Sequence, residues 1–261
     1  MCTLIAGRDL LGPGTLVFGA NRDESPLRPS DPPGILSREP RVVGGRDRVA
    51  GGTWLAVRAE GGAIAMLNRR PLSAGAPPPT RSRGLLALDA ANAPAGTATL
   101  AEAVKRAARD QCERERFAPF SMLFLSREGS WILAWDGLAT RHQSIELRFQ
   151  EIPAGWHVVT HAGMDDRREP RTARLHAELA DWTPESETAA LDRLRRLLAL
   201  HGDTVSGEPA PAVCLHEGPM PTVSYALGAF TRDRTVYLHG EGRPCTVEPV
   251  SQAALFDPET T

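Results

Sequence analysis

The chain has 261 residues, of which 41% are hydrophobic and 24% charged, with a formal net charge of -2. This is ordinary globular composition, and the basic residues are scattered as Arg-Ser-Arg or Arg-Arg steps rather than gathered, which excludes an electrostatic nucleic-acid or anionic-membrane binder. Four cysteines, at 2, 112, 214 and 245, form no CxxC pair, so a reducing compartment is the simplest setting.

In chain order, short apolar runs alternate first with turn signals: TLIAG (3–7), GTLVFGAN (14–21), TWLAVRA (53–59) and GAIAMLN (62–68) are strand length, with hairpin punctuation at 12–14 and 60–62. Between them, 25–50 is rich in Pro, Gly, Arg and Asp and reads as a long surface loop. After the turn APPPT (76–80), SRGLLALDAANA and TATLAEAVKRAARD read as two helices, the second with Leu100, Val104 and Ala107 on one face. Strands return at SMLFLS (121–126), WILAW (131–135), SIELRF (144–149) and WHVVTH (156–161). Two amphipathic helices follow, striped by Leu175, Leu179 and Trp182 over 169–182 and by Leu191, Leu194 and Leu198 over 186–200. The chain closes with strand-like PTVSYALGAF (221–230), TVYLHG (235–240) and TVEPV (246–250).

No βαβ unit repeats, so the sheets should be largely antiparallel. Two helix pairs, each with one apolar stripe, could cover two stacked sheets. The expectation is an α+β chain built as a four-layer αββα sandwich, with 1–261 as a single domain. No stretch approaches the roughly twenty apolar residues of a spanning helix, and Arg8 and Asp9 interrupt the first apolar run where a signal peptide needs an unbroken core. A cytoplasmic protein is expected, its N-terminus made by removal of Met1 alone.

That removal would leave Cys2 with a thiol and a free α-amine on one Cα. An α-amine of ordinary pKa, about 7.7–8.0, is partly neutral at physiological pH and can take the thiol proton. The bland reading of Cys2 is a small buried apolar residue. If 3–7 and 14–20 pair as a hairpin, Asn21, Arg22, Asp23 and Glu24 return beside Cys2. A carboxylate there could orient the α-ammonium, and Arg22 could hold a substrate carbonyl or carboxylate; as turn formers and a solvated ion pair, the same residues need do nothing.

ANRDE behind an initial Met-Cys, then GGTWLAV (51–57), an A-x-L-N strand end (65–68) and SRGLL (82–86), resembles the NRDE family of transport-and-Golgi-organisation proteins. The likeness is looser over 156–182 and 213–243. That family is in turn similar to the cysteine N-terminal nucleophile hydrolases such as penicillin V acylases and bile salt hydrolases, which implies the αββα sandwich. It also implies Cys2 as nucleophile, Asp23 as the aspartate that binds its amine, and Asn68 as the oxyanion-hole asparagine. The acylases have an arginine where this chain has Ala20, and an asparagine where it offers His161, so the resemblance carries no substrate class.

A small-molecule amide or acyl substrate is expected, with Asn21, Arg22, Trp54, Arg83 and His161 as candidate binding residues and no cofactor. Trp54 reads first as core or a pocket wall, and Arg83, with Arg81 at a helix N-terminus, as solvated or as facing an anionic substrate beside the helix N–H groups. Two rival functions stand beside hydrolysis: a carrier using the same pocket for haem or acyl-CoA, and an acyl transferase using Cys2. A homo-oligomer stays open. His157 and His161, with Asp165 and Asp166 beyond, lack a third ligand at diagnostic zinc spacing. Cys214 and His216, paired with Cys245 or His239, could touch a metal or haem, but core packing is the expected use.

Overall fold

A computed structural model of the protein describes residues 2–70, 78–94, 96, 98–136, 147–202, 204–205 and 208–260. The elements in chain order are β1 (Thr3–Arg8), β2 (Leu16–Asp23), β3 (Ser30–Ser37), β4 (Val42–Asp47), β5 (Leu55–Arg58), β6 (Gly62–Asn68), α1 (Arg83–Ala91) and α2 (Leu100–Arg114). They continue with β7 (Phe120–Ser126), β8 (Trp131–Trp135), β9 (Phe149–Glu151), β10 (Gly155–Thr160), β11 (Gly163–Met164), α3 (Pro170–Leu179) and α4 (Glu187–Leu198). The last are β12 (Thr204–Val205), β13 (Glu208–Pro209), β14 (Thr222–Phe230), β15 (Thr235–Gly240), β16 (Val250–Ser251) and a 3-10 turn over Ala253–Phe256.

The first of two structural units joins residues 1–28 to 153–253. Its seven-stranded sheet runs β11-β10-β1-β2-β14-β15-β16 with antiparallel neighbours throughout. The β1–β2 hairpin forms as the sequence predicts, because Gly12 (φ +108°) and Gly14 (φ +75°) take backbone conformations closed to other residues. Alternation along the strands sends Ile5, Val17, Val158, Tyr225 and Leu227 to one face, where they pack on the leucine stripes of α3 and α4. Those helices start where capping chemistry allows: Glu169 accepts from the Thr172 N–H ahead of Pro170, and Ser186 accepts from the Ala189 N–H. Trp182 falls beyond α3 and stacks on Trp156 with ring centroids 5.5 Å apart.

The second unit, residues 29–152 with 254–261, is a seven-stranded antiparallel sheet in the order β3-β4-β5-β6-β7-β8-β9. Ile64, Met66, Met122 and Phe124 pack on one face with Leu86, Ala90, Val104 and Ala108 of α1 and α2. Gly52 and Gly84, from two separate motifs, meet in this unit: a Cβ on Gly52 would land on the Gly84 carbonyl carbon, and the Thr53 N–H donates to Gly84 O at 3.0 Å. The glycines are there because two backbones touch.

Each unit is therefore built on one seven-stranded antiparallel sheet with a helix pair on one face, the first also carrying the small β12–β13 ladder, giving an α+β chain with two main β and two α layers. Two sequence expectations fail. The stretch 25–50 is not a loop but contains β3 and β4. Pro32 and Pro33 concealed β3, which tolerates them because it is the edge strand and its pairing with β4 is broken by bulges. TVEPV contributes only Val250 to a strand, β16. Of the expected strand SIELRF, 144–146 lie outside the described residues, as do 76–77 of the Pro-rich turn. No helix among the described residues is long and apolar enough to cross a membrane.

Candidate active site

The first sheet builds a site at the end where β1 begins and β2 ends. Thr3 pairs with Asn21 across the hairpin, and one further step of that register sets Cys2 opposite Arg22. On the other side of β1, Leu4 pairs with Val159, and beyond Thr160, which pairs with Gly163, His161 and Ala162 form the two-residue turn between β10 and β11. Ser224 of β14 pairs with Arg22. One row therefore runs through Cys2, Arg22 and Ser224, and His161 lies in the turn at the same end of the sheet. Period-two alternation puts the row on the face opposite α3 and α4, since Ile5 and Val17 face the helices. Arg22, Ser224 and His161 are buried, and Cys2 is half-buried.

Asp23 points the other way, into the helix layer, with a fully buried side chain. Its carboxylate accepts from Thr222 Oγ1 at 2.7 Å and from Arg171 Nη1 at 3.3 Å. The same Arg171 nitrogen donates to Thr3 Oγ1 at 2.6 Å. Burial pushes the Asp23 carboxyl above the ordinary carboxylate range, against the pull of the N-terminal ammonium, Thr222 and Arg171. Burial also pushes the Cys2 thiol up and the Asp23 charge adds to it, while the N-terminal ammonium, the Asp23 backbone N–H and Arg22 act in the opposite sense. Cys2 and Asp23 thus share one electrostatic neighbourhood with the ammonium of residue 1, while the Cys2 nitrogen itself is a peptide nitrogen unless Met1 is removed.

The remaining expected residues fall elsewhere. Asn21 is buried, and its Nδ2 donates to Leu198 O at 2.9 Å and Val213 O at 3.1 Å, tying β2 to the end of α4. Asn68 closes β6 in the second unit, half-buried, on the strand face of Ile64 and Met66. Arg83, the first residue of α1, donates to Pro119 O at 2.8 Å, and Trp54 is half-buried beside β5. The β1–β2 hairpin thus brings Cys2, Arg22 and Asp23 to one end of the first sheet, where the β10–β11 turn also places His161; Asn68, Trp54 and Arg83 belong to the second unit.

Four contributors escaped the sequence reading: Arg171, Thr222, Ser224 and the role of His239. Arg171 had a legible signal, because the stripe of Leu175 and Leu179 continued one turn back lands on it, marking an arginine on a buried helix face. His239, buried on β15, places Nε2 at 2.9 Å from Glu241 Oε2, and its Nδ1 has no hydrogen-bond partner among the described residues. Burial lowers its pKa, with Glu241 opposing and Arg22 adding to the drop, so the neutral ring is favoured.

His157 is used structurally. Nδ1 meets Asp165 Oδ2 at 2.7 Å and Nε2 meets Pro153 O at 3.0 Å, leaving neither nitrogen for a metal. Asp165 also takes His176 Nε2 at 2.9 Å and the Val158 N–H at 2.8 Å. Burial alone would raise its carboxyl, but these bonds outweigh it and hold the pKa below the ordinary value. A depressed folded-state pKa stabilises above the unfolded value and is lost as pH falls through the folded one. Asp165→Asn suits the left-handed backbone there (φ +56°), and it removes the charge and turns one of the two accepting oxygens into an NH2 donor. It is expected to cost about 1–2 kcal/mol at pH 7, with the charge-dependent part of the deficit shrinking only as pH falls below about 4 toward the depressed folded-state value, as urea melts across pH would show.

Solved structures share this fold. Penicillin V acylase from Agrobacterium tumefaciens superposes with a TM-score of 0.53 at 13% identity, over 100% of this chain and 89% of its own. A variant of conjugated bile acid hydrolase from Clostridium perfringens gives 0.51 at 12%, over 97% and 93%. The Caenorhabditis elegans ortholog of N-acylethanolamine-hydrolyzing acid amidase gives 0.50 at 14%, over 87% and 92%. At such identities the likeness shows the fold alone. No curated protein sequence matches the chain. The model of the family described as Transport and Golgi organisation 2 matches residues 1–221. The chain belongs to the transport and Golgi organisation 2 family.

Proposed function

We propose that the protein is an N-terminal-cysteine amidohydrolase that cleaves a non-peptide C–N bond of a small-molecule amide. The observation that carries this reading is the β1–β2 register, which sets Cys2 opposite Arg22 with the Asp23 N–H bonded to it. After loss of Met1, the Cys2 amine takes the thiol proton, and the thiolate adds to the amide carbonyl. The C–N bond breaks, the leaving amine carries off the proton held by the Cys2 ammonium, and water hydrolyses the thioester to the acid and free thiol. Asp23, held by Arg171 and Thr222, orients the ammonium. Arg22, in the row with Cys2, and His161, at the same end of the sheet, bind the acyl part. The solved structures of similar fold support the class: an acylase, a conjugated bile acid hydrolase and an N-acylethanolamine-hydrolyzing acid amidase ortholog. The free thiols fit a reducing cytoplasmic setting.

The founding test is intact mass of untagged protein, before and after brief iodoacetamide treatment and after incubation with amide and β-lactam probes. Loss of Met1, fast single-site alkylation at Cys2 and a covalent acyl adduct are expected. Retained Met1 without an adduct, together with saturable haem or acyl-CoA binding that survives Cys2→Ala, would overturn hydrolysis in favour of a carrier.

A further inference from the structure

Away from the N-terminal site, four side chains of the first unit converge. His201 follows the C-terminal end of α4, Cys214 and His216 lie on the segment leading into β14, and Cys245 lies on the turns after β15. One ligand atom from each, an imidazole nitrogen or a thiol sulfur, lies within 4.8 Å of the other three. Cys214 Sγ is 3.6 Å from Cys245 Sγ, and His216 Nε2 is 3.2 Å from Cys245 Sγ. The His201 and His216 rings meet edge to face at 4.7 Å.

These separations are those of a metal tetrahedron. Zinc bonds of about 2.3 Å to sulfur and 2.0–2.1 Å to nitrogen give S–S edges of about 3.8 Å and S–N edges of about 3.6 Å. Both measured distances fall within about 0.4 Å of these edges, and both histidines are exposed, so ring rotation closes the rest. We propose that His201, Cys214, His216 and Cys245 form a Cys2His2 zinc site. Two soft thiolates with two imidazoles select zinc over magnesium or calcium. Four protein ligands complete the tetrahedron and leave no open position, so the ion is structural. Binding releases the two thiol protons and changes no oxidation state. A disulfide would engage only the two sulfurs, which are free, and leave the convergence of both histidines unexplained.

The ion would clamp the segment that holds the end of β2. Val213 O accepts from Asn21, and the Leu215 N–H donates at 2.9 Å to Thr222 Oγ1, which donates to Asp23. Cys214 sits between these two anchors. Nothing in this argument depends on Cys2 being catalytic.

The test uses full-length untagged protein, purified under reducing conditions without chelator. Elemental analysis is expected to find one zinc per chain, lost in Cys214→Ser and in His201→Ala and kept in Cys112→Ser. Replacement of zinc by cobalt in the wild-type chain is expected to give the visible bands of tetrahedral cobalt with near-ultraviolet thiolate charge transfer. That readout does not depend on whether a variant folds. A folded wild-type chain that takes up neither zinc nor cobalt overturns the site. So does equal zinc in wild type and Cys214→Ser, or a Cys214–Cys245 disulfide in the peptide map of freshly purified protein.

Discussion

Cys2→Ala is expected to lower turnover by a factor on the order of 10⁶, the scale of removing a covalent nucleophile, while leaving the fold in place. Cys2 precedes β1, is half-buried, and belongs to neither helix-packed core, so its truncation should change stability by less than about 1 kcal/mol. Its chemistry is not replaceable in the same way. The bond to the Asp23 N–H and the charge of Arg22 act on the sulfur, and a methyl group offers neither a bond to carbon nor a proton to the adjacent amine. Cys2→Ser keeps the geometry with a hydroxyl that holds its proton far more tightly than a thiol, so it too should lose the acyl adduct. The measurement is paired: intact mass after exposure to an amide or β-lactam probe, and a thermal melt on the same sample. An adduct that persists in Cys2→Ala places the nucleophile elsewhere. A melt displaced by many degrees means that Cys2 is a packing residue.

What the sequence disclosed about this site followed physical periodicity. The hairpin was legible because Gly12, Pro13 and Gly14 separate two apolar runs, and once β1 and β2 pair, Cys2 and Arg22 have to meet. The helix stripes were legible for the same reason: Leu191, Leu194 and Leu198 repeat with the helix and do pack on the sheet. Partners supplied from far along the chain were not. Thr222 reaches Asp23 across 199 positions and Arg171 across 148, and no local pattern encodes such a meeting. β3 was missed because its prolines suit an edge, and edge position is a property of the whole sheet. Cys214 and His216 read as packing because their companions, His201 and Cys245, come from two other segments at no diagnostic spacing.

Arg171→Met is expected to destabilise the chain by about 3–5 kcal/mol at pH 7, the usual result of removing one partner from a buried ion pair. The guanidinium is nearly enclosed and the Asp23 side chain wholly so. Without it, the carboxylate loses a cation that offsets the cost of its burial, and Thr3 Oγ1 loses the Arg171 donor. Arg171→Lys should recover only part of the loss, because an ammonium is a point charge without the planar fork of donors. The deficit of the methionine variant depends on pH in a definite sense. Asp23 already has a raised folded-state pKa, and loss of the cation raises it further, so acid neutralises the stranded charge in the folded protein before it does so in the unfolded chain. The gap between wild type and variant should therefore narrow from neutrality down through about pH 4. Because Asp23 also acts on Cys2, the rate of Cys2 alkylation should change in the same variant even where the chain is fully folded. Urea melts at several pH values, with alkylation rates measured below the transition, separate the two effects. A gap that stays constant with pH would mean that Arg171 stabilises the helix start by packing alone and that Asp23 does not depend on it.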